Sequence, residues 1–137
     1  MNITLDAIVD NLPAVLSFVD EALEEQACPM RIQMEVDVAV EELFVNVAHY
    51  AYGDQVGQVS IDLNFEDDSK TVMIRFSDSG MPYNPLDRDD PDITLPAEKR
   101  EVGGLGIYMV KKSMDDFTYE YSGGMNHTTI RKRLRKA

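Results

Sequence analysis

The spacing of hydrophobic residues changes period several times along the chain, and each change marks an element. Ile3 and Leu5 alternate with polar neighbours, which predicts a short strand over residues 3–5. From residue 12 the spacing is helical. Leu12, Val15, Leu16, Val19 and Leu23 share one face, behind Asn11 as a candidate cap and Pro13 in the first turn. Pro29 punctuates. A longer helix is expected from about residue 30 to 51, with Val36, Val40, Leu43, Val47 and Ala51 as its stripe and Gly53 as its stop. The period then falls to two. Val59, Ile61, Leu63 and Phe65 alternate, "EDDS" turns, and Val72, Ile74 and Phe76 alternate again, which predicts a hairpin.

From Gly80 to Val102 no period holds, and prolines stand at 82, 85, 91 and 96. Segments of this kind in compact domains are usually lids, binding loops or disordered. "GGLGIYMVKKSMDD", residues 103–116, reads as a helix with a glycine-rich start. Two strands, "FTYEYS" and "TTIRKRL", follow, separated by "GGMNH". The order β-α-α-β-β-lid-α-β-β predicts an α+β fold: a two-layer α/β sandwich with a mostly antiparallel sheet and helices on one face.

Composition narrows the function classes. The 137 residues are 44% hydrophobic and 28% charged, the balance of one globular domain with a full core. No run reaches the length of a membrane span, and "MNITLDAIVDNL" lacks the basic start and apolar block of a signal peptide. Cys28 is the only cysteine, so a cytoplasmic location without an internal disulfide is expected. A net charge of −12 argues against nucleic acid as a partner, because phosphate backbones need clustered cations. Five of the 13 basic residues (Arg131, Lys132, Arg133, Arg135 and Lys136) crowd the last seven positions. Their expected role is a charge-guarded edge strand, or else a docking patch for an acidic partner.

Three short stretches carry candidate chemistry. In "EELFVNVAHYAYGD" Glu42 and Asn46 are four apart, hence about 40° apart on a helix and outside the apolar stripe. A carboxylate beside a carboxamide can poise a proton acceptor next to an oxygen ligand for a hard cation. In isolation such a pair is usually an ordinary solvated face. "GGLG", residues 103–106, opens a helix whose N-terminal N–H groups favour an anion, but it is no Walker A loop and alone reads as a tight turn. "DSGMPYNP", residues 78–85, follows a strand. There Asp78 can accept a hydrogen bond from an exocyclic amine such as adenine's, Gly80 lets the backbone turn close to a flat ring, and Met81 and Tyr83 are candidate apolar walls. Alone it is a surface turn. The order of all three is what separates them from chance.

Together these stretches resemble the anti-sigma regulatory factor and serine-protein kinase family of histidine-kinase-like (GHKL-type) ATPases. "EELFVNVAHYAYGD" is similar to that family's N box, "DSGMPYNP" to its first glycine box, "GGLGIYMVKK" to its second and "HTTIRKRL" to its closing strand. The resemblance covers roughly residues 3–134. It implies a Bergerat-type single domain over residues 1–137, with an ATP lid at about 83–103. It further implies Asn46 as a ligand of Mg²⁺ on the ATP phosphates and Glu42 as the catalytic base toward a protein hydroxyl. Asp78 would read the adenine amine with Thr128 assisting through water, Gly80 would shape the adenine wall, and Gly104 and Gly106 would offer N–H groups to the phosphates.

This sequence departs from the family at several places. Tyr50 stands where the family often has histidine, with His49 one position earlier, and His127 replaces the glycine before the closing threonine. The lid carries "DRDDPD", with Arg88, Lys99 and Arg100 as its cations, none of which aligns with a phosphate ligand.

The function the resemblance implies is an ATP-dependent serine/threonine protein kinase of a bacterial partner-switching system. Its substrate would be a STAS-type anti-anti-sigma protein, its regulated target a sigma factor or other regulator, and a homodimer its assembly. The alternative is a nucleotide-sensing module that sequesters a regulator without transferring phosphate. The catalytic half of a histidine kinase and a nucleotide-free α+β domain complete the readings.

Overall fold

A computed structural model describes residues 1–87 and 104–135. Five strands form one sheet: β1 (Asn2–Asp6), β2 (Gln58–Glu66), β3 (Thr71–Asp78), β4 (Asp116–Ser122) and β5 (Met125–Arg133). Their order is β1-β2-β3-β5-β4 and every neighbouring pair is antiparallel. Three helices, α1 (Leu12–Glu25), α2 (Met30–Tyr50) and α3 (Gly104–Ser113), complete the α+β architecture.

The two periodicities meet in one core. Val59, Ile61 and Leu63 of β2, Val72, Ile74 and Phe76 of β3, and Ile130 of β5 are buried on the same side. Against them pack Val15, Val19 and Leu23 of α1, Val36, Val40 and Leu43 of α2, and Ile107 and Val110 of α3. Removing a side chain such as Phe76 from water contributes roughly 1.5–3 kcal/mol. The alternate residues make a polar outer face. There Asn2 donates to Asp62 at 2.7 Å, Arg75 to Thr129 at 3.1 Å, and Ser77 meets His127 Nδ1 at 2.8 Å.

Three sequence expectations need correction. Asn11 precedes α1 but makes no side-chain cap; its Nδ2 instead donates to Asp6 O at 2.8 Å, tying the helix start to β1. The turn between β4 and β5 is only Gly123–Gly124, both at positive φ, so Met125, Asn126 and His127 lie inside a strand rather than in a loop. Finally, the basic C-terminal strand is not an edge. It lies between β3 and β4, and two of its cations are paired within the fold: Arg131 with Glu66 at 2.9 Å and Asp116 at 3.0 Å, Lys132 with Glu35 at 3.0 Å.

On the outer side of the α2–α3 seam, Met30, Met34 and Val38 of α2 and Met109 of α3 are exposed. With Arg31, Glu35 and Ser113 they line an open groove of about 550 Å³. No helix among the described residues is long and apolar enough to cross a membrane.

Candidate functional site

Strand pleating selects the floor of the site. Asp78 pairs with Asn126 and Phe76 with Thr128 in the β3–β5 register, and all four side chains line one cavity beneath α2. The helix supplies Leu43, Asn46, Val47 and Ala51, and the segment after β3 closes the front with Tyr83 and Pro85. Enclosed space is about 20 Å³, room for a single water. As it stands the cavity is too small for a flat ring. Tyr50, at the end of α2, holds that front: its ring stacks on Tyr83 with centroids 5.4 Å apart and planes 21° apart.

Asp78 is buried at 5% exposure, and one of its oxygens is fully engaged. Oδ1 accepts from Gly80 N at 2.9 Å and from Asn126 Nδ2 at 2.9 Å. Among the described residues Oδ2 makes no hydrogen bond, which leaves it as the free acceptor on the cavity wall. Gly80 is required by close approach: a Cβ there would lie 2.6 Å from the Ala51 carbonyl carbon, and Met81 N bonds Ala51 O at 2.8 Å. The loop is thereby riveted to the end of α2.

Asn46 lines the cavity, and its Nδ2 is buried with no partner among the described residues. Its two amide ends are isosteric, so the side chain can present an oxygen to a cation or an N–H to a phosphate. Among the described residues no group of three His, Cys, Asp or Glu side chains is placed to hold a metal. A lone carboxamide fits Mg²⁺, which keeps most of its shell as water and substrate phosphate.

One turn earlier on α2, Glu42 packs against α3. A Cβ on Gly106 would overlap the Glu42 carboxylate, lying 3.1 Å from Oε1 and closer still to Oε2. Glycine at 106 therefore makes room for the acid beside the first turn of α3. Burial, and secondly the charge of Glu41, push the Glu42 carboxyl above the usual glutamate range, a direction that suits a proton acceptor.

The cavity thus gathers Asn46, Asp78 and Thr128, with Gly80 bonded to its rim and Glu42 meeting Gly106 one helical turn away. Gly104 is the first residue of α3. Of the two expected apolar walls Tyr83 lines the cavity, while Met81 does not and is 57% exposed. His49 is exposed, and His127 lies on the opposite face of the sheet. Arg88, Lys99, Arg100 and most of the expected lid lie outside the described residues.

Sequence reasoning missed Asn126. It is 4% exposed, and besides Asp78 its Nδ2 donates to Met81 O at 2.9 Å. Its Oδ1 accepts from Tyr83 N at 3.2 Å and from the Tyr119 hydroxyl. Burial, opposed by a hydrogen bond to the Tyr83 backbone, raises the Tyr119 phenol above its ordinary range. The missed signal was a polar residue two positions before Thr128, on the same strand face.

Comparison with known proteins places the fold that carries this cavity. The family model described as the histidine kinase-like ATPase domain matches residues 5–132. Serine-protein kinase RsbW of Bacillus thuringiensis subsp. konkukian (strain 97-27) is 28% identical over 93 residues, which are 66% of this chain and 58% of that protein. RsbW of Bacillus cereus (strain ATCC 10987 / NRS 248) matches with the same identity and coverage. The chain thus spans less than two thirds of the length of the curated relatives it matches. Among solved structures, the RsbU and RsbW domains of Rv1364c from Mycobacterium tuberculosis superpose at a TM-score of 0.67 with 20% identity, over 100% of this chain and 33% of that one. The histidine kinase domain of the Erythrobacter litoralis EL346 blue-light activated histidine kinase gives 0.56 and 13%, over 92% and 60%. At such identities the two structures establish the fold alone.

Proposed function

The chain belongs to the histidine kinase-like ATPase domain family, and on that premise we propose that it is an ATP-dependent serine/threonine protein kinase of a partner-switching system. Its acceptor would be a STAS-type anti-anti-sigma protein and its regulated target a sigma factor or a comparable regulator. The observation that carries this reading is the α2 row. Asn46 lines the cavity that holds Asp78, and Glu42, four residues earlier, stands against the first turn of α3.

In this reading adenine enters under α2 and its exocyclic amine donates to Asp78 Oδ2, while Thr128 and Phe76 floor the ring. The phosphates lie toward the N-terminus of α3, whose free N–H groups favour negative charge. Asn46 would hold Mg²⁺, which when bound neutralises phosphate charge. Glu42 takes the proton from the acceptor hydroxyl. The hydroxyl oxygen bonds to the γ-phosphorus, the bond from phosphorus to the bridging oxygen breaks, and ADP leaves with that oxygen. Positioning and charge are most of what this chemistry asks of a protein.

The acceptor must reach Glu42 from outside α2 and α3. The groove of Met34, Val38 and Met109 runs along that approach. Val38 lies one turn, about 6 Å, before Glu42, and Met109 lies three residues beyond Gly106. We place the acceptor protein there.

Calorimetry with ATP tests the nucleotide half. Asp78→Asn should weaken ATP at least tenfold without changing thermal stability, and Asn46→Ala should remove the enhancement of ATP binding by Mg²⁺. Unaltered ATP affinity in Asp78→Asn would remove the adenine assignment.

A further inference from the structure

The side chain of Asn126 uses its full hydrogen-bonding capacity in one place. Its two N–H groups face acceptors only, the Asp78 carboxylate and the Met81 carbonyl, each at 2.9 Å. Its oxygen faces donors, Tyr83 N and the Tyr119 hydroxyl. A flipped amide would set oxygen against carboxylate and N–H against N–H, so chemistry fixes the orientation. Asp78 Oδ1 is consequently committed, and the carboxylate cannot turn without leaving a buried amide unpaired. The same amide grips residues 81 and 83, the segment that closes the cavity front.

We propose that Asn126 is a positioning residue that sets the purine preference of the cavity: it locks Asp78 as a pure acceptor at Oδ2 and couples that acceptor to the Met81–Tyr83 segment. This rests on the nucleotide-binding reading above and adds what distinguishes purines. An acceptor fixed at that point pairs with the amine of adenine. It repels the carbonyl oxygen that guanine carries at the corresponding position. A carboxylate free to rotate, or to gain a proton, discriminates less.

Two substitutions read this out. Asn126→Asp is isosteric but sets acceptor against acceptor, so the pair binds only if a proton fills the place of the amide hydrogen. The titratable groups facing that proton are Asp78 of β3, Tyr119 and Tyr121 of β4, and Tyr83 with Asp87 from the closing segment. Affinity for ATP, expressed as the ratio of variant to parent at each pH so that the ligand's own titration cancels, should fall at least tenfold at pH 8.5. It should recover to within about threefold at pH 6, since each tenfold corresponds to one unit of proton linkage.

Asn126→Ser keeps a small polar side chain but frees Asp78. It should lower the preference for ATP over GTP at least fivefold at fixed pH. A purely structural role would weaken both nucleotides alike, because their triphosphates are shared. Circular dichroism at each pH confirms that both variants are folded; if Asn126→Asp unfolds at high pH, the ATP/GTP ratio of Asn126→Ser decides alone. An unchanged ratio in Asn126→Ser, or a pH-independent loss in folded Asn126→Asp, overturns the proposal. If the parent protein binds no nucleotide, it is the broader reading that fails.

Discussion

Adding one methyl group at Gly106 separates folding from chemistry. Alanine is favoured over glycine in a helix interior by about 1 kcal/mol and by less in the first turn, where Gly106 lies, so on backbone grounds Gly106→Ala should stabilise α3 slightly. The new Cβ, however, occupies the space of the Glu42 carboxylate. The obstacle is the end of a flexible side chain rather than backbone, so Glu42 can turn aside, an off-rotamer torsion costing roughly 0.5–1.5 kcal/mol. The two terms nearly cancel, and stability should change by less than about 1 kcal/mol. Catalysis has no such compensation. A base moved by about 1 Å or more loses the acceptor proton, worth about 100-fold in rate. Denaturant unfolding, ATP calorimetry and single-turnover transfer to a STAS-domain acceptor measure the three quantities separately. The expected pattern is near-parental stability, ATP affinity within about threefold, and transfer reduced about 100-fold. Parental transfer rates in Gly106→Ala would refute the placement of Glu42 as base.

Two other outcomes are expected. Asp37 sits against Asp20 at the α1–α2 seam, each with a buried Oδ1 that has no partner among the described residues; burial first, then the hydrogen bond with Asp20 and the charges of Asp20 and Glu24, raise the Asp37 carboxyl to about 7. The raised value means the folded state holds a proton the unfolded chain releases near pH 4, so this contribution is present at low pH and lost as pH rises through about 7. The side chain is partly solvated, which discounts the effect to about 1–2 kcal/mol. Asp37→Asn should therefore raise Tm at pH 8 more than at pH 5.5, and equal shifts at both would contradict the proton held on Asp37. On the groove, Met34→Glu with Met109→Glu should leave ATP affinity unchanged and raise the KM for the protein acceptor at least tenfold. An unchanged KM would move the docking surface elsewhere.

Much of this architecture was legible in the alternation of residues, because burial on one face writes itself directly into period. The α2 stripe at Val36, Val40 and Leu43 and the hairpin at Val59–Leu63 and Val72–Phe76 are buried as the spacing implied. Strand order was not legible. Alternation states which face a strand buries but not which neighbours it takes, so β5 was expected at an edge and lies inside the sheet. Asn126 escaped because "GGMNH" has three turn-forming residues among its five, Asn126 included, while only the first two form the turn. The closed cavity front was equally hidden, since the Tyr50–Tyr83 stack joins residues 33 positions apart that carry no shared period. Glu42 and Asn46 stood out as a pair through helical spacing alone. Their relation to Gly106 and Asp78 needed the fold.

The central claim is that Glu42 draws a proton from a protein hydroxyl while ATP is held beneath α2. Its most direct test is transfer of labelled γ-phosphate from Mg-ATP to a STAS-domain protein encoded in the same genome, with Glu42→Gln alongside. The account predicts label on a serine or threonine of the acceptor, lost in Glu42→Gln although that variant binds ATP as the parent does. A parent protein that binds both ATP and the acceptor yet leaves the acceptor unlabelled would contradict it, and would make the molecule a nucleotide-gated binding module.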